Sequence, residues 1–319
     1  MSDGPQRFAG HQSSHVDSDA AIRLTDTDAV TARYSAVQKG YIRDPFTRPL
    51  LPRGAQFQPS RPPLINVGTY VRSEGIDSLV TQWLELSQQE GKKCQIVSLG
   101  AGSDSRFWRI ATGPHRNTVS AYIELDFSEN TTKKAMAINK SRELKGTLGD
   151  PSNVKIVGGG TTLYSPVYHL IPADLRIPPH ESLSQAFQLI DSAEGPILSP
   201  NLPTLILFEC VLAYMSPAAS DGVIKWFVDY FATSPEGTVL GGIVYEMFGL
   251  NDSFGKVMLN NLKARNVDLP GVEPYPTVAS LPNRFLQLGF ERAYAMTLRD
   301  IRRSCIGEVE LERRANVNF

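Results

Sequence analysis

The hydrophobic pattern changes character along the chain. Residues 1 to 25 hold hardly a large apolar side chain among Ser, Asp, Gly and His, and a disordered tail is expected there. From Asp28 to Gly40 an acidic start and a closing glycine predict a short capped helix. The proline-rich stretch that follows predicts an irregular connector. Ile76, Leu79, Val80, Trp83 and Leu84 then recur at helical spacing, which predicts one buried stripe on a helix ended by Gly91.

Beyond that glycine the pattern is of another kind. Apolar runs over 94–99, 119–125 and 204–214 show no polar alternation. Such runs, separated by helical segments, predict a parallel sheet covered on both faces, in one elaborated α/β domain. Ser216 and Pro217 supply the N-cap and first-turn proline of a helix running to about Phe231, and 239–246 reads as a further strand. Residues 158–162 and 272–284 read as loops.

Composition narrows the function classes. With 319 residues and 41% hydrophobic content, the chain can bury a substantial core. Thirty-two basic residues against thirty-three acidic ones leave a net charge of -1, so no general field attracts nucleic acid or an anionic membrane. Cys94, Cys210 and Cys305 lie far apart with no CxxC spacing, as reduced thiols do, and no run reaches membrane-span length. A cytoplasmic protein, with the nucleus as a second compartment, is expected. His115, His169 and His180 are scattered, and the i, i+4 pair His11 and His15 lies in the tail, so no metal is expected.

The chemistry concentrates where strands end. V97-S98-L99-G100-A101-G102-S103-D104 runs an apolar strand into a glycine turn. A dinucleotide fingerprint needs a third glycine where Ser105 stands. A shorter G-x-G turn followed by E124-L125-D126 fits either a plain strand-to-helix turn or the methionine end of S-adenosylmethionine, with Asp126 accepting from ribose hydroxyls. Asp174 in A173-D174-L175 is either a solvated loop residue or an acceptor for an adenine amino group. Glu209 interrupts L205-I206-L207-F208, where an ionised carboxylate is too costly to bury without a partner. At the carboxyl end of a parallel strand it faces the crevice where such sheets bind ligands.

These segments, with G40-Y41, Y70-V71-R72, A173-D174-L175-R176 and E209-C210-V211-L212-A213-Y214-M215 in this order, make the chain resemble the leucine carboxyl methyltransferase family over about residues 28–313. The resemblance implies a class I S-adenosylmethionine-dependent methyltransferase: a Rossmann-like doubly wound α/β sheet over 93–319 beneath an N-terminal helical cap over 26–92. It implies that Arg33 (where relatives commonly have lysine), Arg72, Gly100, Asp126, Asp174, Leu175 and Glu209 line the cofactor site. Arg72 and Tyr245 are the candidate catalytic residues. The implied reaction is methyl esterification of the C-terminal leucine of the protein phosphatase 2A catalytic subunit by a monomeric enzyme, with neither nucleic acid nor membrane as partner. A small-molecule O-methyltransferase and a catalytically impaired S-adenosylmethionine-binding protein remain the alternatives.

Two departures from the family pattern stand out. D252-S253 precedes the F254-G255 pair where relatives commonly have arginine or proline. Relatives also continue past E310-L311-E312-R313 through an acidic helix and a last strand, whereas this chain ends at Phe319. A missing last strand is therefore expected, leaving 289–298 as an exposed edge in a truncated form of reduced stability.

Overall fold

The uninterrupted apolar runs become the middle of a sheet. The computed structural model describes residues 12–188, 196–307 and 310. In it β1 (Cys94–Leu99), β2 (Val119–Asp126), β5 (Tyr168–Pro172), β6 (Thr204–Glu209) and β7 (Leu240–Tyr245) run parallel. At one edge β3 (Lys155–Val157) and β4 (Thr162–Tyr164) add an antiparallel hairpin, and the order is β3-β4-β5-β2-β1-β6-β7. Central β1 pairs Ile96 with Tyr122 on one side and Leu205 on the other, and all its residues are buried. That is why its sequence lacks polar alternation.

Helices cover both faces. Ahead of the sheet come α1 (Gln12–Gln38), the single turn α2 (Thr47–Leu50) and α3 (Pro63–Gln89). Between strands lie α4 (Arg106–Ala111), α5 (Ser128–Lys140), α6 (Arg142–Gly146), α7 (Pro179–Ala186) and α8 (Pro217–Phe231). After β7 follow α9 (Ser253–Lys263), α10 (Leu281–Gln287) and α11 (Leu298–Ser304). Because strand side chains alternate, Val97, Leu99, Ile123 and Phe208 pack with Val223 and Phe227 of α8, while Ile96, Tyr122 and Leu205 pack with Ile76, Val80 and Leu84 of α3.

Several elements differ from what the pattern predicts. Leu79 is 49% exposed, so the stripe on α3 is narrower than its spacing suggests. The run 204–214 stops being a strand at Glu209, because Cys210 turns to φ 57° and a 3-10 turn occupies Leu212–Tyr214. The glycine loop at 158–162 leads into β4, and α10 begins inside the loop predicted over 272–284. No strand forms over 289–297: Phe290 packs on the core while Tyr294 and Met296 are exposed, and among the described residues the sheet ends at β7.

The largest difference is at the N-terminus. Residues 1–11 of the expected tail lie outside the described residues, but 12–25 are helical and belong to α1. The helix is fixed by charge. Asp19 pairs with Arg176 at 3.0 Å, Arg23 with Glu129 at 3.6 Å and Asp28 with Arg265 at 2.5 Å, while Asp26 accepts from the Ser103 backbone N–H at 2.7 Å. Composition alone misses partners that lie far away in sequence.

Partly exposed pairs of this kind contribute at most about 1 kcal/mol each and are screened by salt. Raising ionic strength from about 0.05 to about 0.5 M shortens the Debye length to roughly 4 Å. Amide hydrogen exchange over 19–30 is then expected to accelerate several-fold while β1 and β6 keep their protection. Salt-independent exchange in this half of α1 would show that something other than charge holds it.

Candidate functional site

The carboxyl ends of the parallel strands open into a cavity of about 440 Å³, walled on its far side by Ile22, Asp26, Ala29 and Arg33 of α1. Its floor is the turn after β1. Gly100 and Gly102 have φ of 60° and 47°, a left-handed region that side chains rarely adopt. A Cβ on Gly100 would also lie 2.6 Å from a Val211 methyl group. The Gly102 N–H donates to Asp126 at 2.6 Å, tying the turn to the end of β2.

Along the crevice the sheet order sets out two kinds of chemistry. On the β5 and β2 side stand Asp174, Leu175, Asp126 and Asn130. Asp126 also accepts from the Phe127 N–H at 2.7 Å and the Asn130 amide at 2.9 Å, so about one of its four acceptor positions remains for a ligand. Acceptance from both ribose hydroxyls, the simplest sequence expectation, exceeds that number. Burial pushes the Asp126 carboxyl upward from its ordinary pKa against these donors. The second oxygen of Asp174 accepts from Arg176 Nη2 at 2.7 Å; burial raises this carboxyl, but the Arg176 bonds outweigh it and hold the pKa below the usual range.

On the β6 side the lining is cationic. Arg72 Nε donates to Glu209 Oε1 at 2.6 Å, and its guanidinium lies 4.4 Å from the centre of the Tyr245 ring. Burial opposes the charge of Glu209, yet Arg72 and Arg106 together keep its pKa below the ordinary carboxylate value. Arg33 donates to Asp44 Oδ2 at 2.8 Å and to Ser73 Oγ at 2.9 Å, while its Nη2 is buried without a hydrogen-bond partner in the protein. Asn130 Oδ1 is a second such atom.

All seven residues expected to hold the cofactor line this one cavity: Arg33, Arg72, Gly100, Asp126, Asp174, Leu175 and Glu209. Tyr245 does not. Its ring sits beneath Arg72, so it supports a cavity residue rather than forming the wall. Both oxygens of Glu209 are taken by arginines, which makes it a brace as well as a lining group. Cys210, next to it, holds a left-handed φ despite its side chain, a strain of about 1–2 kcal/mol that gathers at functional crevices.

Sequence reasoning passed over Asp26, Asp44, Asp77, Asp104 and Arg106. Arg106 is 2% exposed and meets Asp77 at 2.8 Å, Asp104 at shorter range and Glu209 at 3.3 Å. The readable signal was S103-D104-S105-R106, two opposite charges at the mouth of an otherwise apolar glycine turn.

An S-adenosylmethionine molecule fits this layout. From β5 to β6 is three strand spacings, about 14 Å, with acceptors at one end and guanidinium groups, one carrying an unpaired buried N–H, at the other.

Comparison with known proteins identifies the family. The family model for leucine carboxyl methyltransferase matches residues 21–228. Leucine carboxyl methyltransferase 1 of Cryptococcus neoformans var. neoformans serotype D is 44% identical over 319 residues, covering 93% of this chain and 86% of the relative. The Schizosaccharomyces pombe protein of the same name is 35% identical, with 93% and 87% covered, and the Arabidopsis thaliana homologue 33% identical, with 92% and 81% covered. On these matches, the chain belongs to the leucine carboxyl methyltransferase family.

Proposed function

We propose that this cavity binds S-adenosylmethionine and that the chain esterifies the C-terminal leucine α-carboxylate of the protein phosphatase 2A catalytic subunit. The observation that carries the reading is the polarity of the crevice, with acceptors over β5 and β2 and arginines over β6. Asp126 and Asn130 would take the ribose, Asp174 and Leu175 the adenine, and the free N–H of Arg33 the methionine carboxylate. When bound, the cofactor supplies a methyl group activated by a positively charged sulfur.

What the protein adds is placement. A terminal carboxyl has a pKa of about 3.5 and is already ionised at neutral pH, so no side chain need act as a base. Arg72 is suited to aim it, because Nε is held by Glu209 and the residue lines the cavity. Its pairing with Glu209 also tempers its charge. A full cation gripping the ionised ground state would raise the barrier, since the carboxylate loses charge as the ester forms. Val211, Met215, Met247 and Leu262 supply apolar wall for a leucine side chain, where one methylene is worth about 1–3 kcal/mol.

Incubation with methyl-labelled S-adenosylmethionine and the phosphatase catalytic subunit is expected to yield base-labile label that disappears when the terminal leucine is removed. Label on a free hydroxylated metabolite and none on the phosphatase would replace this reading with a small-molecule one. Asp126→Asn exchanges a charge-assisted bond worth about 1.5–3 kcal/mol for a neutral one worth about 0.5–1.5 kcal/mol, so cofactor affinity should fall roughly 5- to 10-fold with turnover at saturation much less affected. Arg72→Ala should show the opposite split, losing turnover first. Equal effects of the two variants on both quantities would refute the division of roles.

A further inference from the structure

Arg106 has no place in the proposed chemistry and does not line the cavity, yet it is among the most deeply buried charges in the molecule. It begins α4, directly after the glycine turn. A planar guanidinium offers five N–H donors in a fixed fork. Here the fork reaches three separate elements: Nε to Asp77 of α3, Nη1 to Asp104 of the turn and Nη2 to Glu209 at the end of β6. Two of those carboxylates line the cavity, and Glu209 passes the constraint to Arg72 through its other oxygen.

We propose that Arg106 is a positioning residue for methyl transfer, setting the place of Glu209 and, through it, the direction in which Arg72 presents its guanidinium to the substrate carboxylate. The proposal rests on the reading of the site given above. Arg109, one turn on, does not substitute for it: its bonds go to Asp77, and its Nε, 3.6 Å from Asp44, completes no hydrogen bond. Among the described residues, neither partner is hydrogen-bonded or ion-paired to Arg72. Lysine at 106 would keep one charge and lose the three-way geometry.

A control comes from a buried arginine beyond β7 that does not line the cavity. Arg284 is as deeply buried, meets Glu246 at 3.2 Å and the Gly271 carbonyl at 2.8 Å, and stacks on Tyr275. It has no bond to Glu209 or Arg72. Arg284→Lys therefore reports what loss of a buried fork does to the fold alone.

The test compares purified full-length variants by melting temperature, by cofactor affinity from calorimetry and by turnover on the phosphatase catalytic subunit. Arg106→Lys is expected to lower kcat by about 100-fold, the loss a misplacement of about 1 Å can cause, with a smaller change in KM. Arg284→Lys is expected to shift the melting temperature comparably and leave kcat within a few-fold of wild type. Combined with Arg72→Ala, Arg106→Lys should add little further loss, because its effect runs through Arg72. Additive losses, a kcat near wild type for Arg106→Lys, or the same kcat loss in Arg284→Lys would overturn the proposal.

Charge removal gives a pH signature. The groups facing Glu209 are Arg72 of α3, Arg106 of α4, Asp104 of the turn, Cys210 beside it and Tyr245 of β7. With Arg106→Gln, burial and Asp104 both favour the neutral acid and only Arg72 opposes them. Turnover should then decline as pH falls from about 8 to about 6, while the wild type stays flat because its substrate carboxylate is ionised throughout. A flat profile in a folded Arg106→Gln counts against the proposal. Should neither variant fold, Asp77→Asn frees the same fork from its α3 side, and a several-fold loss of kcat is expected; wild-type turnover there overturns the idea. An inactive wild type, by contrast, would count against the assigned reaction, and calorimetry of the Arg72 and Arg106 pair would still read their coupling.

Discussion

The site depends on one expensive act, the removal of the Arg106 guanidinium from water. Taking a single ion out of solvent costs several kcal/mol even after the protein relaxes, and the cost is recovered only where good hydrogen-bonding geometry surrounds it. This requirement fixes its neighbours. Asp77 must come from α3, Asp104 from the turn and Glu209 from the tip of β6, so helix, turn and strand are locked to one planar group. Apolar side chains of similar volume would satisfy the fold at least as well. Charges are kept here because an apolar filler cannot hold a second arginine at a chosen angle.

Two buried glutamates show how much the partner set matters. Glu209 is flanked by two guanidinium groups and stays below the usual carboxylate range despite burial. Glu124, two strands away on β2, meets Lys134 at 2.5 Å and the Tyr168 hydroxyl at 2.6 Å, yet burial pushes its pKa up to about 7. One oxygen of Glu124 has no partner at all. A single lysine does not offset the loss of water, while two arginines do. Glu209 is thus a dependable anion at working pH, as a brace for Arg72 has to be.

How far the sequence could be read follows from the range of each interaction. The central strands and the glycine turn were legible because the apolar runs and the left-handed glycines are local signals. The hairpin of β3 and β4 was not, since its strands are three residues long and every residue of β3 is on the exposed side, leaving no hydrophobic alternation to see. The N-terminal half of α1 looked disordered because what orders it is charge on distant partners, Asp19 and Arg176 being 157 positions apart. For Arg106 only the neighbouring Asp104 was a local signal, and the rest was hidden for the same reason. Its carboxylates lie 29, 2 and 103 positions away, and an arginine after a turn ordinarily faces solvent.

The two sides of the crevice differ in how they are held. On the sheet side, Gly100, Asp126 and Glu209 sit at the ends of hydrogen-bonded parallel strands whose opening would approach global unfolding. On the α1 side, the wall from Ile22 to Asp28 is attached through ion pairs to Arg176, Glu129 and Arg265, with Asp26 bonded to Ser103. None of these contacts involves Arg72, Arg106 or Glu209. The N-terminal half of α1 is thus tied to the crevice independently of the arginine set at the end of β6, which has its own partners. Arg33, farther along the same helix, is anchored to Asp44 and, through Ser73, to α3, so α1 faces the strand ends with one half and is joined to the preceding helical layer by the other.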